Sequence, residues 1–209
     1  MGKIIIFGGV KMCRKVISDI REQYTDFEQM PIAAEKMLSG TSTKDFFPVP
    51  IIDIAKEIGF KIFEMVPDER ELSGLVGISL DYEEDFGTDK IIAVNSVDNY
   101  GHKRFTIAHE IAHYIFDFDE KSQISYYNTY YTDEHAETPE ERRANYFAAC
   151  LLMPERQFKS KYEELLDENS LLETTKKLAD TFKVSPEAVR RRIDELNLFG
   201  VTENDWNNP

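Results

Sequence analysis

Cysteine is almost missing from this chain: two occur in 209 residues, Cys13 and Cys150, with no paired spacing. A secreted disulfide framework is therefore excluded, and a reducing cytosol fits better. Long apolar runs are missing too. The run from Ile4 to Val10 is short, broken by glycine and lacks a small-residue cleavage site, so neither a membrane span nor a signal peptide is read. Ile6 stands where a myristoylation signal needs Ser or Thr. Basic charge is scarce, with 25 Lys and Arg against 39 Asp and Glu and a net charge of −14. The deficit concentrates in residues 49–160, where 11 basic face 22 acidic side chains. That segment repels phosphate backbones, which argues against nucleic acid as its substrate. Histidine is rare as well, at four residues.

What is present is a globular composition, 42% apolar and 31% charged, long enough for one good core and a small second unit. Residues 1–47 read as a helical lead-in. Ile17, Ile20, Tyr24 and Phe27 recur at helical spacing, and Pro31 restarts a second helix. Gly8-Gly9-Val10-Lys11-Met12 reads equally as the end of a short strand or as a translated ribosome-binding site, which would make residues 1–11 an over-called start. Residues 48–160 form the second unit. It opens with a helix from Pro50 to Gly59 and continues with strands at 60–66, 75–82 and 90–95. The last two make a hairpin with a solvated acidic tip, Glu83 to Asp89. A helix follows over 104–118, then a long loop at 117–138, then a helix begun by Pro139. Residues 161–200 form a two-helix unit, and 201–209 read as a disordered tail. The fold class expected is α+β, a small sheet packed on the 104–118 helix with a C-terminal helix-turn-helix-like unit.

The stretch RFTIAHEIAHYIF, residues 104–116, holds half of the histidines. Residues four apart share a helix face, so His109 and His113 can grip one metal ion. Glu110 projects about 100 degrees further round, beside the metal instead of on it. This is the H-E-x-x-H pattern, in which two imidazoles hold zinc and the carboxylate takes a proton from water. Catalytic zinc needs a third protein ligand. Glu141, early on the next helix, is the candidate, with Asn145 one turn later placed to orient a ligand histidine. Spacing alone leaves Glu141 equally readable as a favourable charge at a helix N-terminus.

RFTIAHEIAHYIF, preceded by IAVN and followed by ERRANYFAACLLMP, resembles the ImmA/IrrE family of zinc metallopeptidases over residues 50–158, and more loosely beyond. The resemblance implies a thermolysin-like gluzincin, with Zn2+ held by His109, His113 and Glu141, Glu110 as general base and Asn145 behind a ligand. It also implies a protein substrate, a helix-turn-helix repressor whose cleavage switches genes on in a mobile element or stress response. His135 and Tyr131, with Tyr126, Tyr127 and Tyr130, lie between the ligand helices and are candidates for oxyanion or substrate contact. His102 is read as a surface loop residue, and residues 72–80 as an edge strand able to receive an extended substrate.

LADTFKVSPEAVRRRIDEL has the form of a helix-turn-helix, and residues 174–199 carry 6 basic against 4 acidic side chains, with Arg190, Arg191 and Arg192 clustered. An interaction module or lid is favoured over DNA contact, because the basic run lies past the helix N-terminus that reads bases. The competing function is a DNA-binding transcriptional regulator with a structural or vestigial metal site.

Overall fold

The computed structural model describes residues 8–66, 72–118, 124–130, 138–167 and 169–198, with side chains described outside 8–14 and 124–130. It is an α+β fold. Helix α1 (Gly8–Gln23) runs through Gly8 to Val10, so those residues are not a strand, and residues 1–7 lie outside the described residues. A 3-10 turn at Phe27–Gln29 leads into α2 (Met30–Ser39), which carries Pro31 in its first turn, where a missing N–H costs nothing. Helix α3 (Ile51–Glu57) ends at Gly59, whose φ of 99° suits glycine.

Four strands form one sheet: β1 (Lys61–Met65), β2 (Leu72–Ser79), β3 (Lys90–Asn95) and β4 (Ile124–Tyr130), in the order β1-β3-β2-β4. β1 runs parallel to β3, and β2 is antiparallel to both β3 and β4. Three expectations change here. The acidic tip between β2 and β3 is a helical turn, α4 (Tyr82–Phe86), closed by Gly87 in the left-handed conformation. The 117–138 segment is not one long loop, because ISYYNTY pairs with β2 as β4. Its aromatic and β-branched residues suit a strand, but the apolar–polar alternation that announces one is missing. Consequently β2 is interior, and residues 72–80 are not an edge that could receive a substrate; the edges are β1 and β4.

Under the sheet lies α5 (Tyr100–Phe116), started by Asn99, whose side chain accepts from the His102 N–H at 3.0 Å. Helix α6 (Pro139–Leu152) packs against α5 and α2, burying Ala144, Phe147, Ala148, Leu151 and Leu152. The charged stretch after Pro154, for which no helix is expected above, is α7 (Glu155–Leu166), seated on Phe158 and Tyr162 one turn apart. Helices α8 (Leu171–Phe182) and α9 (Pro186–Glu195) follow, joined through Lys183 at φ 55°. A single core runs from Ile17 and Met30 through Ile111 and Phe147 to Phe182 and Ile193. Arg104, 3% exposed, stitches it: Nε donates to Lys183 O at 3.0 Å and Nη2 to Val49 O at 2.6 Å. Among the described residues no helix is long and apolar enough to cross a membrane.

Candidate metal centre

Helix α5 is buried along almost its whole length, including the polar His109, Glu110 and His113, which are 2%, 0% and 0% exposed. Burying three ionisable side chains side by side is costly unless they serve one another or an ion. The i, i+4 spacing turns both imidazoles the same way and leaves their Nε2 atoms 2.9 Å apart. Glu141 reaches them from α6, its Oε2 3.1 Å from His109 Nε2 and its Oε1 3.3 Å from His113 Nε2. Capping sets that reach. Thr138 Oγ1 accepts from the Glu141 N–H at 3.2 Å, which starts α6 one turn before the carboxylate.

The protons on the far ring nitrogens define the chemistry of this cluster. Asp117 Oδ2, a carboxylate oxygen, lies 2.7 Å from His113 Nδ1 and can only accept, so Nδ1 carries the hydrogen. Asn145 Oδ1 accepts from His109 Nδ1 at 2.9 Å in the same way. In the neutral rings both Nε2 atoms are then bare lone pairs, pointed at each other and at a carboxylate. Three Lewis bases converging with no donor between them require a cation. His109, His113 and Glu141 each offer a ligand atom, all within 4.8 Å of one another. Two imidazole nitrogens and one carboxylate oxygen suit zinc, leaving a position for water or substrate. The donor set fits the group that the sequence implies.

A proton is the alternative cation. Burial alone would lower the His113 pKa, but hydrogen bonds to Asp117 and Glu141, with the charges of Glu110 and Glu141, push it up to about 9. Burial alone would raise Glu141, yet the hydrogen bonds and charges of the two imidazoles hold it well below the usual carboxylate range.

Glu110 sits beside the pair, under β2. A Cβ built on Gly74 would fall 3.2 Å from Glu110 Oε1 and 2.3 Å from Thr106 Cγ2, so a side chain there would displace the strand from the helix. Asn145 is on α6 behind His109, as its spacing implies. His102 is not a loop residue but belongs to the first turn of α5, its Nε2 3.7 Å from Asp98. Burial lowers its pKa, with Asp98 opposing. Tyr131 and His135 lie outside the described residues, as do the side chains of Tyr126, Tyr127 and Tyr130. Sequence reasoning passed over Asp117 and Arg143, which pair behind His113. The available signal was an acid four residues after the second histidine.

Fold and site together define an α+β protein with a two-histidine, one-carboxylate cradle between two helices beneath a mixed sheet. The chain belongs to the peptidase family described as the IrrE N-terminal-like domain, Peptidase_M78, whose model matches residues 55–194. No curated protein matches the chain. Among solved structures, a Mycobacterium tuberculosis transcriptional regulator superposes with a TM-score of 0.50 at 19% identity over 87% of this chain, a likeness of fold. The chain spans 52%, about half, of that protein's length.

Proposed function

We propose that this protein is a zinc-dependent endopeptidase that cuts a helix-turn-helix transcriptional repressor and so relieves repression. The observation that carries the metal chemistry is the convergence of two Nε2 atoms, 2.9 Å apart, on one carboxylate at 3.1 and 3.3 Å. His109, His113 and Glu141 would hold the ion, which when bound supplies acidification of water and polarisation of the scissile carbonyl. Glu110 is the general base: its buried carboxylate receives the proton of the attacking water and passes it to the leaving amine nitrogen. His109, Glu110 and His113 are themselves 2%, 0% and 0% exposed, so this exchange would take place in a setting largely closed to bulk water. Asp117 and Asn145 hold the two rings with their Nε2 atoms bare. Family membership supports a protein substrate, and the repressor class rests on the family resemblance.

The helix pair α8–α9 is read as an interaction module. Of its three clustered arginines, Arg192 is 1% exposed and spent on Met153 O, Cys150 Sγ and Glu195, which leaves little of the basic face that DNA contact needs. The test mixes the purified protein with repressors encoded beside its gene, with and without chelator, alongside Glu110→Gln. Site-specific cleavage is expected, abolished by chelator and reduced about 10²- to 10⁴-fold in Glu110→Gln, which keeps its metal. Chelator-insensitive cutting would overturn the metal chemistry, and salt-sensitive DNA binding untouched by Glu110→Gln, with no cleavage, would overturn the reading in favour of a DNA-binding regulator.

A further inference from the structure

Behind His113 stands a buried pair that no motif announces. Asp117 is the C-cap of α5, one turn past His113, with a side chain 4% exposed. One carboxylate oxygen, Oδ2, accepts from His113 Nδ1 at 2.7 Å; the other, Oδ1, accepts from Arg143 Nη2. Arg143 comes from α6, two residues beyond Glu141, and its guanidinium lies 5.2 Å from the Phe116 ring centroid. Asp117 is thus a joint between the helix that supplies both imidazoles and the helix that supplies the carboxylate. Its two oxygens are divided between a ligand ring on one helix and an anchoring cation on the other.

We infer that Asp117, anchored by Arg143, is a positioning residue that fixes the ring of His113 and the spacing of α5 and α6, and thereby sets the metal affinity of the site. The inference rests on the metal-binding reading above. A carboxylate on the far nitrogen of a ligand imidazole orients the ring and raises the basicity of the coordinating nitrogen. A neutral amide does less, and amide is what His109 receives from Asn145. The two histidines are therefore unequal, with His113 the stronger donor. Arg143 compensates the buried charge of Asp117 and holds its orientation, so that His113 and Glu141 are set before an ion arrives.

The test is zinc affinity by competition with a chromogenic chelator, read beside the ligand-field spectrum of the cobalt-substituted protein. Asp117→Asn keeps the shape and removes the charge, and it should weaken zinc about ten- to a hundredfold and shift the cobalt spectrum. Arg143→Met should weaken zinc by a smaller factor, and Arg143→Lys should recover part of that loss. Asn145→Ala serves as the reference for the weaker partner and should cost less than Asp117→Asn. Should Asp117→Asn fail to fold, the two Arg143 variants carry the comparison. Affinities within twofold of the parent and an unchanged cobalt spectrum, in Asp117→Asn or, if it does not fold, in Arg143→Met, would sink the inference while leaving the peptidase reading intact. A parent that binds no zinc would sink both, and a parent that binds zinc but cuts no repressor would leave this inference standing.

Discussion

His109 and His113 cannot both present bare lone pairs at 2.9 Å without a cation between them, so a site without metal takes up a proton. The fold raises His113 from 6.5 to about 9, which means that it stabilises the charged ring. In metal-free protein that contribution is fully present below about pH 6.5 and is lost as pH rises through about 9. Glu141 is shifted the other way, so its contribution is present above its ordinary 4.5 and is lost as pH falls through its lowered folded value. Chelator-treated protein should therefore melt highest near pH 5–6.5 and lose stability steadily toward pH 9, as a calorimetric series would show. Metal must displace that proton. Apparent zinc affinity is expected to rise about tenfold between pH 7 and pH 8 in chelator competition, and equal affinities at the two values would take the proton out of the site. At this scale the shared face of His109 and His113, with Glu110 beside it, was legible from i, i+4 spacing within one helix, whereas spacing left Glu141 open between a ligand and a helix N-terminal charge. Asp117 was half legible, since its spacing shows the contact with His113 but nothing in it shows Arg143 arriving from α6.

Among the elements, β2 decides how closely the sheet approaches the site helix. Gly74 and Gly77 are both in that strand but face different neighbours. A Cβ on Gly74 meets Thr106 Cγ2 at 2.3 Å and the Ala93 carbonyl oxygen at 3.1 Å, whereas one on Gly77 meets the outer ring atoms of Tyr82 at 3.0 Å. Backbone and a buried helix cannot yield; the end of a tyrosine can. Gly74→Ala should cost about 1–3 kcal/mol in urea unfolding and depress cleavage by moving β2 away from Glu110. Gly77→Ala should stay within about 1 kcal/mol of the parent, because the strand gains a better backbone former as Tyr82 shifts. Equal costs would mean that the approach of β2 to α5 does not constrain the sheet. Periodicity made α1, α2, α5, α6, α8 and α9 readable, and KIIAVN matched β3 over its whole length. It failed for β4, since pairing with β2 makes that strand, and for α4, where local turn chemistry overrides the acidic composition.

Over the whole molecule, buried arginines join units that look separate along the chain. Arg104 ties the start of α5 to the α8–α9 turn, where a Cβ on Gly101 would come 2.9 Å from the Val184 carbonyl carbon. Arg192 ties α9 to the end of α6 through Met153 O at 3.2 Å. Replacing Arg192 with Met should destabilise the chain by about 1–3 kcal/mol through acceptors left unmatched. Arg191→Ala, on a side chain 65% exposed, should change stability by less than about 0.5 kcal/mol. Comparable losses for both would remove the structural role of Arg192, and denaturant titration of the two variants decides it. The sequence by itself determined the α+β class, the helices with strong periodicity, and the shared helix face of the two histidines with a glutamate beside it, because each is a matter of spacing along the chain. Tertiary structure alone decided which strand lies inside the sheet, which arginine of three is buried, and that Glu141, Asp117 and Arg143 meet around His113. Those facts depend on how two helices pack, and packing distance is not written in the spacing of either one.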